Sequence, residues 1–279
     1  MISVNTNIGS MMAIQNLNTT NRGLEATQKA VSTGKKVADV KDNGAIWTIA
    51  NKMTSDVKAY GRVTESNERA GAILDTAIAA GESIMELLNE MKGKALAATQ
   101  PGLSTGSQAA LAADFVQLRD QITSVVNNAS FDGANMVGAT PASAVSLGDA
   151  AGGNNITVAG ANLGLAGTVV TVLAAQNVGK ATATAIDDPA VALAAVNASI
   201  TNLGTQMATW GAGQKRFDVH QQFVSKLTDA LNSGIGAIVD ADLSKESAKL
   251  TSLQTKQQLG VQALSIANSS TQTALSLFR

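Results

Sequence analysis

Residues 254–279, QTKQQLGVQALSIANSSTQTALSLFR, close the chain, and their pattern determines how the other segments can fold. Together with the preceding run from Leu243, this stretch places mostly small or apolar residues at alternating steps of three and four. That is the spacing of one helix face. A helix of about 36 residues would be about 54 Å long at 1.5 Å per residue. No charged residue occurs between Gln257 and Phe278. A solvated helix needs charges on its free face, so we predict that other protein surrounds this segment.

Apolar residues lie on more than one side of this predicted helix. Away from the main stripe lie Leu259, Val261, Ile266, Leu275 and Leu277. The N-terminal end has the same composition, with apolar residues at helical spacing among Asn, Thr, Gln and Ser, at Val4, Ile8, Met11, Ile14, Leu17, Leu24 and Val31. We predict a pair of terminal helices whose outer faces meet other copies of the protein. An ordinary amphipathic pair within a bundle is the alternative.

Three apolar repeats between the two ends predict further long helices. The first runs from Ile46 until Gln100-Pro101-Gly102 breaks it, and the second runs from about Thr105, with Thr105 or Ser107 as its cap. The third begins at Pro189, capped by Asp187 or Asp188, and continues to about Ile238. Sustained 3.5-residue spacing favours near-parallel helix axes, so these helices are predicted to form one elongated bundle.

The composition changes between residues 130 and 186, where Gly, Ala, Thr, Asn and Ser dominate. Short runs at 144–147, 155–158 and 168–173 predict strands, and a disordered insert is the alternative. The predicted fold is therefore mainly α. It is a long coiled-coil-like helical bundle built from the N- and C-terminal halves, with a small central β-hairpin region.

Two polar linkers predict the domain organisation. Residues 32–45 are charged and contain glycines, and Asp240-Ala241-Asp242 precedes the last helix. We predict an inner terminal helix pair, residues 1–40 with 241–279. The remainder, residues 41–240, is predicted to form an outer helical bundle domain that includes the small β region, 131–185.

The composition argues against most catalytic and metal chemistry. The 279 residues include no cysteine and one histidine, His220, so thiolate sites and multi-histidine metal sites cannot be built. The net charge is −1 and the lysines and arginines are dispersed, which does not suggest a nucleic-acid surface. The chain has no 18-residue apolar stretch and no recognisable signal peptide. We expect no catalytic residue, metal or cofactor, and neither nucleic acid nor membrane as a partner.

Both ends of the chain resemble bacterial flagellin. The N-terminal motif is SVNTNIGSMMAIQNLN, residues 3–18, and the C-terminal motif is QTKQQLGVQALSIANSS, residues 254–270, with a final Leu-Phe-Arg. Residues 32–47, STGKKVADVKDNGAIW, are similar to flagellins of alphaproteobacteria. Many flagellins carry an Arg-containing, twin-Asp version of that segment, so the departure bears on the subtype.

The resemblance implies a non-enzymatic structural subunit that polymerises into the flagellar filament, the propeller for swimming. It also implies an extracellular location, reached through the flagellar type III apparatus without a cleaved signal peptide. The implied partners are other copies, alone or mixed with related flagellins, the export machinery with its chaperone, and the cap and hook-junction proteins. A hook-filament junction protein is one alternative function, and a soluble helical secreted effector or enzyme is another.

The polymerisation interface is predicted on the apolar positions of the two terminal helices. Each large apolar side chain that becomes fully buried contributes about 1.5–3 kcal/mol, so such helices can drive assembly. The predicted interface residues are Ile8, Ile14, Leu17, Leu24, Val31, Leu250, Leu253, Leu264, Ile266, Leu275, Leu277 and Phe278.

Overall fold

A computed structural model describes residues 7–165, 167–172 and 188–276, with side chains in the last range as far as Ser269. Helices dominate the described residues, and the predicted mainly α fold with a small β-hairpin region is confirmed. The elements in chain order are α1 (Ile8–Thr33), α2 (Gly44–Ala98), α3 (Thr105–Asn128), β1 (Ala144–Ser146), β2 (Ile156–Val158), α4 (Pro189–Val239) and α5 (Leu243–Ser276).

Polar side chains cap the N-terminal ends of α3 and α4. The Ser104 hydroxyl accepts a hydrogen bond from the Ser107 backbone N–H at 3.2 Å, so Ser104 caps α3, and the prediction of Thr105 or Ser107 as the cap is wrong. Asp188 Oδ1 accepts from the Ala190 backbone N–H at 3.0 Å and caps α4, as predicted. The other predicted cap, Asp187, lies outside the described residues. These caps satisfy backbone donors that the first helical turn leaves free.

The chain divides into two compact units. The first contains the described residues up to 57 and from 229 onward, and the second contains the described residues of 58–228. The predicted boundaries at residues 40 and 241 fall in the linkers, whereas the compact units divide inside α2 and α4.

In the first unit the two linkers lie side by side. Lys35 and Asp240 form an antiparallel bridge, and the Lys36 backbone N–H donates to the Val239 carbonyl oxygen at 2.8 Å. The Ala241 N–H donates to the Gly34 carbonyl oxygen at 2.9 Å.

In the second unit the core combines α2, α3, α4 and the segment that follows α3. Its largest fully buried side chains include Trp210, Phe115 and Phe217. The Trp210 indole N–H donates to the Ala159 carbonyl oxygen at 3.1 Å and ties α4 to the residue that follows β2. Each aromatic side chain buries a large apolar area, so these three add strongly to a core that is otherwise built from Ala, Val, Leu, Ile and Met.

Strands β1 and β2 pair antiparallel, with Val145 opposite Thr157. They match the predicted runs at 144–147 and 155–158. The predicted strand at 168–173 is wrong for its described residues, 168–172, which form no strand. The reason is that α4 supplies their partners: the Thr171 N–H donates to the Ser199 hydroxyl at 3.0 Å.

Candidate polymerisation surface

Helices α1 and α5 pack against each other in antiparallel orientation in the first unit. The Asn7 side-chain amide donates to the Ala267 carbonyl oxygen at 2.8 Å. About four turns further along α1, Asn21 Oδ1 accepts a hydrogen bond from the Gln257 amide at 2.9 Å. Residue numbers rise along α1 as they fall along α5, which gives the antiparallel direction. The two bonds fix the register of the pair at two separated points.

Leucines of each helix lie against glycines of the other. A Cβ atom on Gly260 would lie 3.3 Å from Leu17 Cδ1, which is tighter than an ordinary van der Waals contact. A Cβ atom on Gly23 would lie 3.5 Å from a methyl carbon of Leu253. Because glycine has no side chain, the two helix backbones can approach closely at both points. The pairing therefore uses small residues as well as apolar ones.

The predicted interface residues fall into three groups. Six are half-buried in the first unit: Leu17, Leu24, Val31, Leu250, Leu253 and Leu264. Three are exposed, with 68% of Ile8, 45% of Ile14 and 69% of Ile266 accessible. Leu277 and Phe278 lie outside the described residues, as does the side chain of Leu275. The contacts given above join Leu17 and Leu253 to the partner helix.

The exposed apolar surface extends beyond the predicted residues. On α1, Met11 and Met12 are also exposed and line a shallow groove with Ile8, Ile14 and Arg22. On α5 the additional exposed residues are Leu243, Leu259 and Val261. Met11, Leu243, Leu259 and Val261 belong to apolar sets visible in the sequence, whereas Met12 is off the α1 stripe. Their exposure could not be read from spacing, since spacing does not show which apolar face the partner helix covers.

An ion-pair network holds the linker beside α1. The Lys29 ammonium lies 2.6 Å from Asp39 Oδ2 and 2.8 Å from Asp42 Oδ2. The hydrogen bond from Lys29, with the backbone N–H groups of Asp39 and Ala38, lowers the pKa of Asp42 to about 2. The hydrogen bond with Lys29 also lowers the pKa of Asp39, and the two carboxylates raise the pKa of Lys29. All these groups are solvent-accessible, so water and salt weaken the network.

The described residues show neither a metal centre nor a membrane span. Within those ranges, no group of three or more histidine, cysteine, aspartate or glutamate side chains could hold a metal ion. The described helices include none with the length and hydrophobicity to cross a membrane. His220 is half-buried, and its ring lies 6.4 Å from the ring of Phe223 between centroids.

Both halves of the chain match flagellin family models. The model of the bacterial flagellin N-terminal helical region matches residues 4–141, and the model of the bacterial flagellin C-terminal helical region matches residues 193–278.

Curated relatives match over their whole length. Flagellin FljO of Caulobacter vibrioides is 44% identical over 277 residues, which cover 99% of this chain and 98% of the relative. A flagellin of Brucella melitensis is 37% identical over 287 aligned positions, which cover 100% of each chain.

A solved structure shares the fold. It is a protein from Vibrio parahaemolyticus assigned as a flagellar hook-associated protein, with a TM-score of 0.58 and 14% identity. The match covers 71% of this chain and 100% of that one. At this identity the likeness shows the fold alone.

Proposed function

This chain belongs to the bacterial flagellin family and is a structural subunit of the flagellar filament, and we propose that its paired helices α1 and α5 form the surface that drives polymerisation. The supporting observation is the exposed apolar surface of this pair. The exposed side chains are Ile8, Met11, Met12, Ile14, Leu243, Leu259, Val261 and Ile266.

Burial of these side chains supplies the driving force. Each large apolar side chain contributes about 1.5–3 kcal/mol when it is fully removed from water, so a set of this size offsets the entropy lost on association. The uncharged run from Gln257 to Phe278 can enter a protein interior without the desolvation of an ionised group. In the monomer this apolar surface is in contact with water, which is unfavourable. Association with further copies removes the surface from water.

This surface supports the predicted domain organisation. Residues 1–40 with 241–279 form the inner part of the filament, and residues 41–240 form an outer bundle domain. The linkers between them meet at the bridge of Lys35 and Asp240.

The partners of the chain are first of all other flagellin subunits. Several flagellins of one bacterium, Caulobacter vibrioides, resemble this chain at 40–44% identity, which supports a filament of this subunit alone or mixed with related flagellins. The subunit is secreted to the cell exterior through the flagellar export machinery, with a chaperone and without a cleaved signal peptide. There it meets the cap and hook-junction proteins.

A hook-filament junction protein remains the alternative within the same fold class, because the Vibrio parahaemolyticus structure shares the fold. Similarity to flagellins over the whole chain favours the filament subunit. Flagellins are structural proteins, and a non-enzymatic role is consistent with the family.

Seeded growth of the purified full chain tests the proposal. Short filament fragments are added to monomer, and the products are imaged by negative-stain electron microscopy beside a chain trimmed to residues 41–240. We expect long filaments from the full chain and none from the trimmed chain. Short caps or unchanged monomer from the full chain would instead support the junction-protein alternative.

A further inference from the structure

Helix α4 carries two unlike surfaces in the second unit, and they face opposite directions. The first is a cleft of about 290 Å³ between α2 and α4, whose α4 residues include Gln214, Phe217 and Gln221. The second is an outer surface whose α4 residues include Arg216, Val219 and Phe223. Each residue of the second set follows one of the first by two positions. Two residues turn a helix by about 200°, so the two surfaces lie on opposite sides of α4.

The cleft contains buried side-chain oxygens that accept no hydrogen bond from the described residues. Asn67 is 5% exposed, and its amide nitrogen donates to the Phe217 carbonyl oxygen at 3.0 Å and to Gln221 Oε1 at 2.9 Å. The carbonyl oxygen of Phe217 can only accept, so this contact fixes the orientation of the Asn67 amide. Asn67 Oδ1 is left without a partner among the described residues, as is Gln214 Oε1. Buried oxygens of this kind are rare in folded proteins and call for a donor.

The same cleft is acidic. Its lining includes Glu68, Asp75 and Asp218. Glu68 accepts a long hydrogen bond of 3.4 Å from the Gln221 amide. The ion pairs of the described residues include neither Asp75 nor Asp218. A cleft with carboxylates and free carbonyl oxygens is suited to a positively charged group that donates several hydrogen bonds.

The outer surface of α4 has the opposite character. Val219 is 58% exposed and Phe223 is 57% exposed. Lys215 and Arg216 line the same surface, and no carboxylate of the described residues forms an ion pair with either. Arginine presents five N–H donors in a rigid fork, which can bind a carboxylate and an amide oxygen at the same time.

We propose that a second copy of this chain occupies the cleft, with Arg216 of one copy inserted between the α2 and α4 helices of the next. Arg216 of one copy binds Asp75 of the next copy and the free side-chain oxygen of that copy's Gln214. The half-buried Gln214 side chain can turn toward the arginine. Val219 and Phe223 cover the rim of the cleft. The two copies use different surfaces, so the contact repeats from copy to copy without closing into a dimer. The inference rests on the proposed function and names a contact of the outer bundle in the filament.

Charge reversal in the full chain tests this contact. The variants are Arg216→Glu, Asp75→Lys and the double variant, and the control is Lys92→Glu, an exposed position outside both surfaces. Seeded elongation rates are measured, and far-UV circular dichroism and Tm check the fold of each monomer. Like charges in a contact are strongly unfavourable, so we expect each single variant to elongate about tenfold more slowly than the control. The double variant restores an opposite-charge pair and should return to the rate of the control.

Each outcome separates this inference from the proposed function. Wild-type monomer that fails to elongate overturns the proposed function and the contact with it. Wild-type elongation together with single variants that match the control overturns the contact alone. If a single variant has a lowered Tm, the double variant decides, since recovered elongation requires that the two charges meet. Absence of recovery in a folded double variant overturns the contact.

Discussion

The Asn7 side chain joins the first and last helices of the chain, since its amide nitrogen donates to the Ala267 carbonyl oxygen at 2.8 Å across 260 residues of sequence. Asn7 Oδ1 accepts from the Ser10 backbone N–H at 3.0 Å, so the same side chain also caps α1. One amide therefore starts a helix and holds it against its partner. The two functions can be separated by substitution, because capping needs only an acceptor and pairing needs the donor.

Substitution of Asn7 should show both contributions. Asn7→Ser keeps a capping oxygen and loses the donor to Ala267, whereas Asn7→Ala loses both. We expect both variants to raise the monomer concentration needed for filament growth. Asn7→Ala should destabilise α1 by about 1 kcal/mol more than Asn7→Ser, the usual contribution of a cap. Filament melting by calorimetry measures the difference, and equal melting temperatures for the two variants would remove the capping role.

A second prediction concerns the close approach of α1 and α5 at Gly260. A Cβ atom there would lie 3.3 Å from Leu17 Cδ1, and valine adds two further carbons. We expect Gly260→Val to separate the helices and to lower filament stability by about 1–3 kcal/mol, the usual effect of overpacking. The control is Gly204→Val, since a Cβ atom at Gly204 meets no atom within 4 Å. Both substitutions place valine in a helix, so helix propensity cancels between them. If filaments of Gly260→Val and Gly204→Val melt at the same temperature, the close approach of the two helices does not contribute to filament stability.

Acid should release the linker that precedes α2. Asp42 Oδ2 accepts hydrogen bonds from the Ala38 and Asp39 backbone N–H groups at 2.9 and 3.1 Å. The pKa of Asp42 is lowered from 3.8 to about 2, so the carboxylate stabilises the linker fully above pH 3.8, and this stabilisation is lost as pH falls through 2. Amide exchange at Ala38 and Asp39, corrected for intrinsic rates, measures the loss.

Substitution at Asp42 provides the comparison for this pH dependence. Asp42→Asn should lose amide protection at neutral pH, because the neutral amide accepts more weakly and cannot pair with Lys29. Asp75→Asn, which removes an exposed carboxylate without a described ion pair, should leave the linker unchanged. Protection of Ala38 and Asp39 that persists in Asp42→Asn would show that the backbone alone holds the linker.

Periodicity predicted the helices well, because long apolar repeats have few other solutions. The repeat that ends at Pro101 appears as α2, and the repeat that begins at Pro189 appears as α4. The prediction of a strand at 168–172 is wrong for a physical reason. Its valines are buried as a strand would require, yet Ser199 and Asn202 of α4 provide its backbone partners in place of a neighbouring strand. Local composition does not contain that information.

The candidate surface could be predicted only as a set of apolar positions. Leu17 and Ile14 are three residues apart on one apolar stripe, but Leu17 lies against Gly260 while Ile14 is exposed. The sequence shows that both are apolar. It does not show how far around the helix the partner α5 reaches, which depends on the register set by Asn7 and Gln257.

Two apolar positions on α5 differ in exposure in the same way as Leu17 and Ile14 on α1. Ile266 is 69% exposed and Leu264 is half-buried in the first unit. Ile266→Asp should leave the monomer as stable as wild type, because the substitution affects a side chain that is already in water. It should nevertheless prevent filament growth, since a buried carboxylate without a partner is strongly unfavourable. Leu264→Asp should prevent growth and also weaken the α1–α5 pair, while the fold of residues 45–240 persists.

The matched control for both variants is Ser247→Asp, which adds the same charge at an exposed position in the first turns of α5. An acidic residue near a helix N-terminus interacts favourably with the helix dipole, so this variant should fold and polymerise normally. Seeded growth and monomer Tm are measured for all three. Normal growth of Ile266→Asp would mean that this face of α5 stays in water in the filament. The assembly surface would then consist of the other exposed apolar residues, and Ile8→Asp would test those on α1.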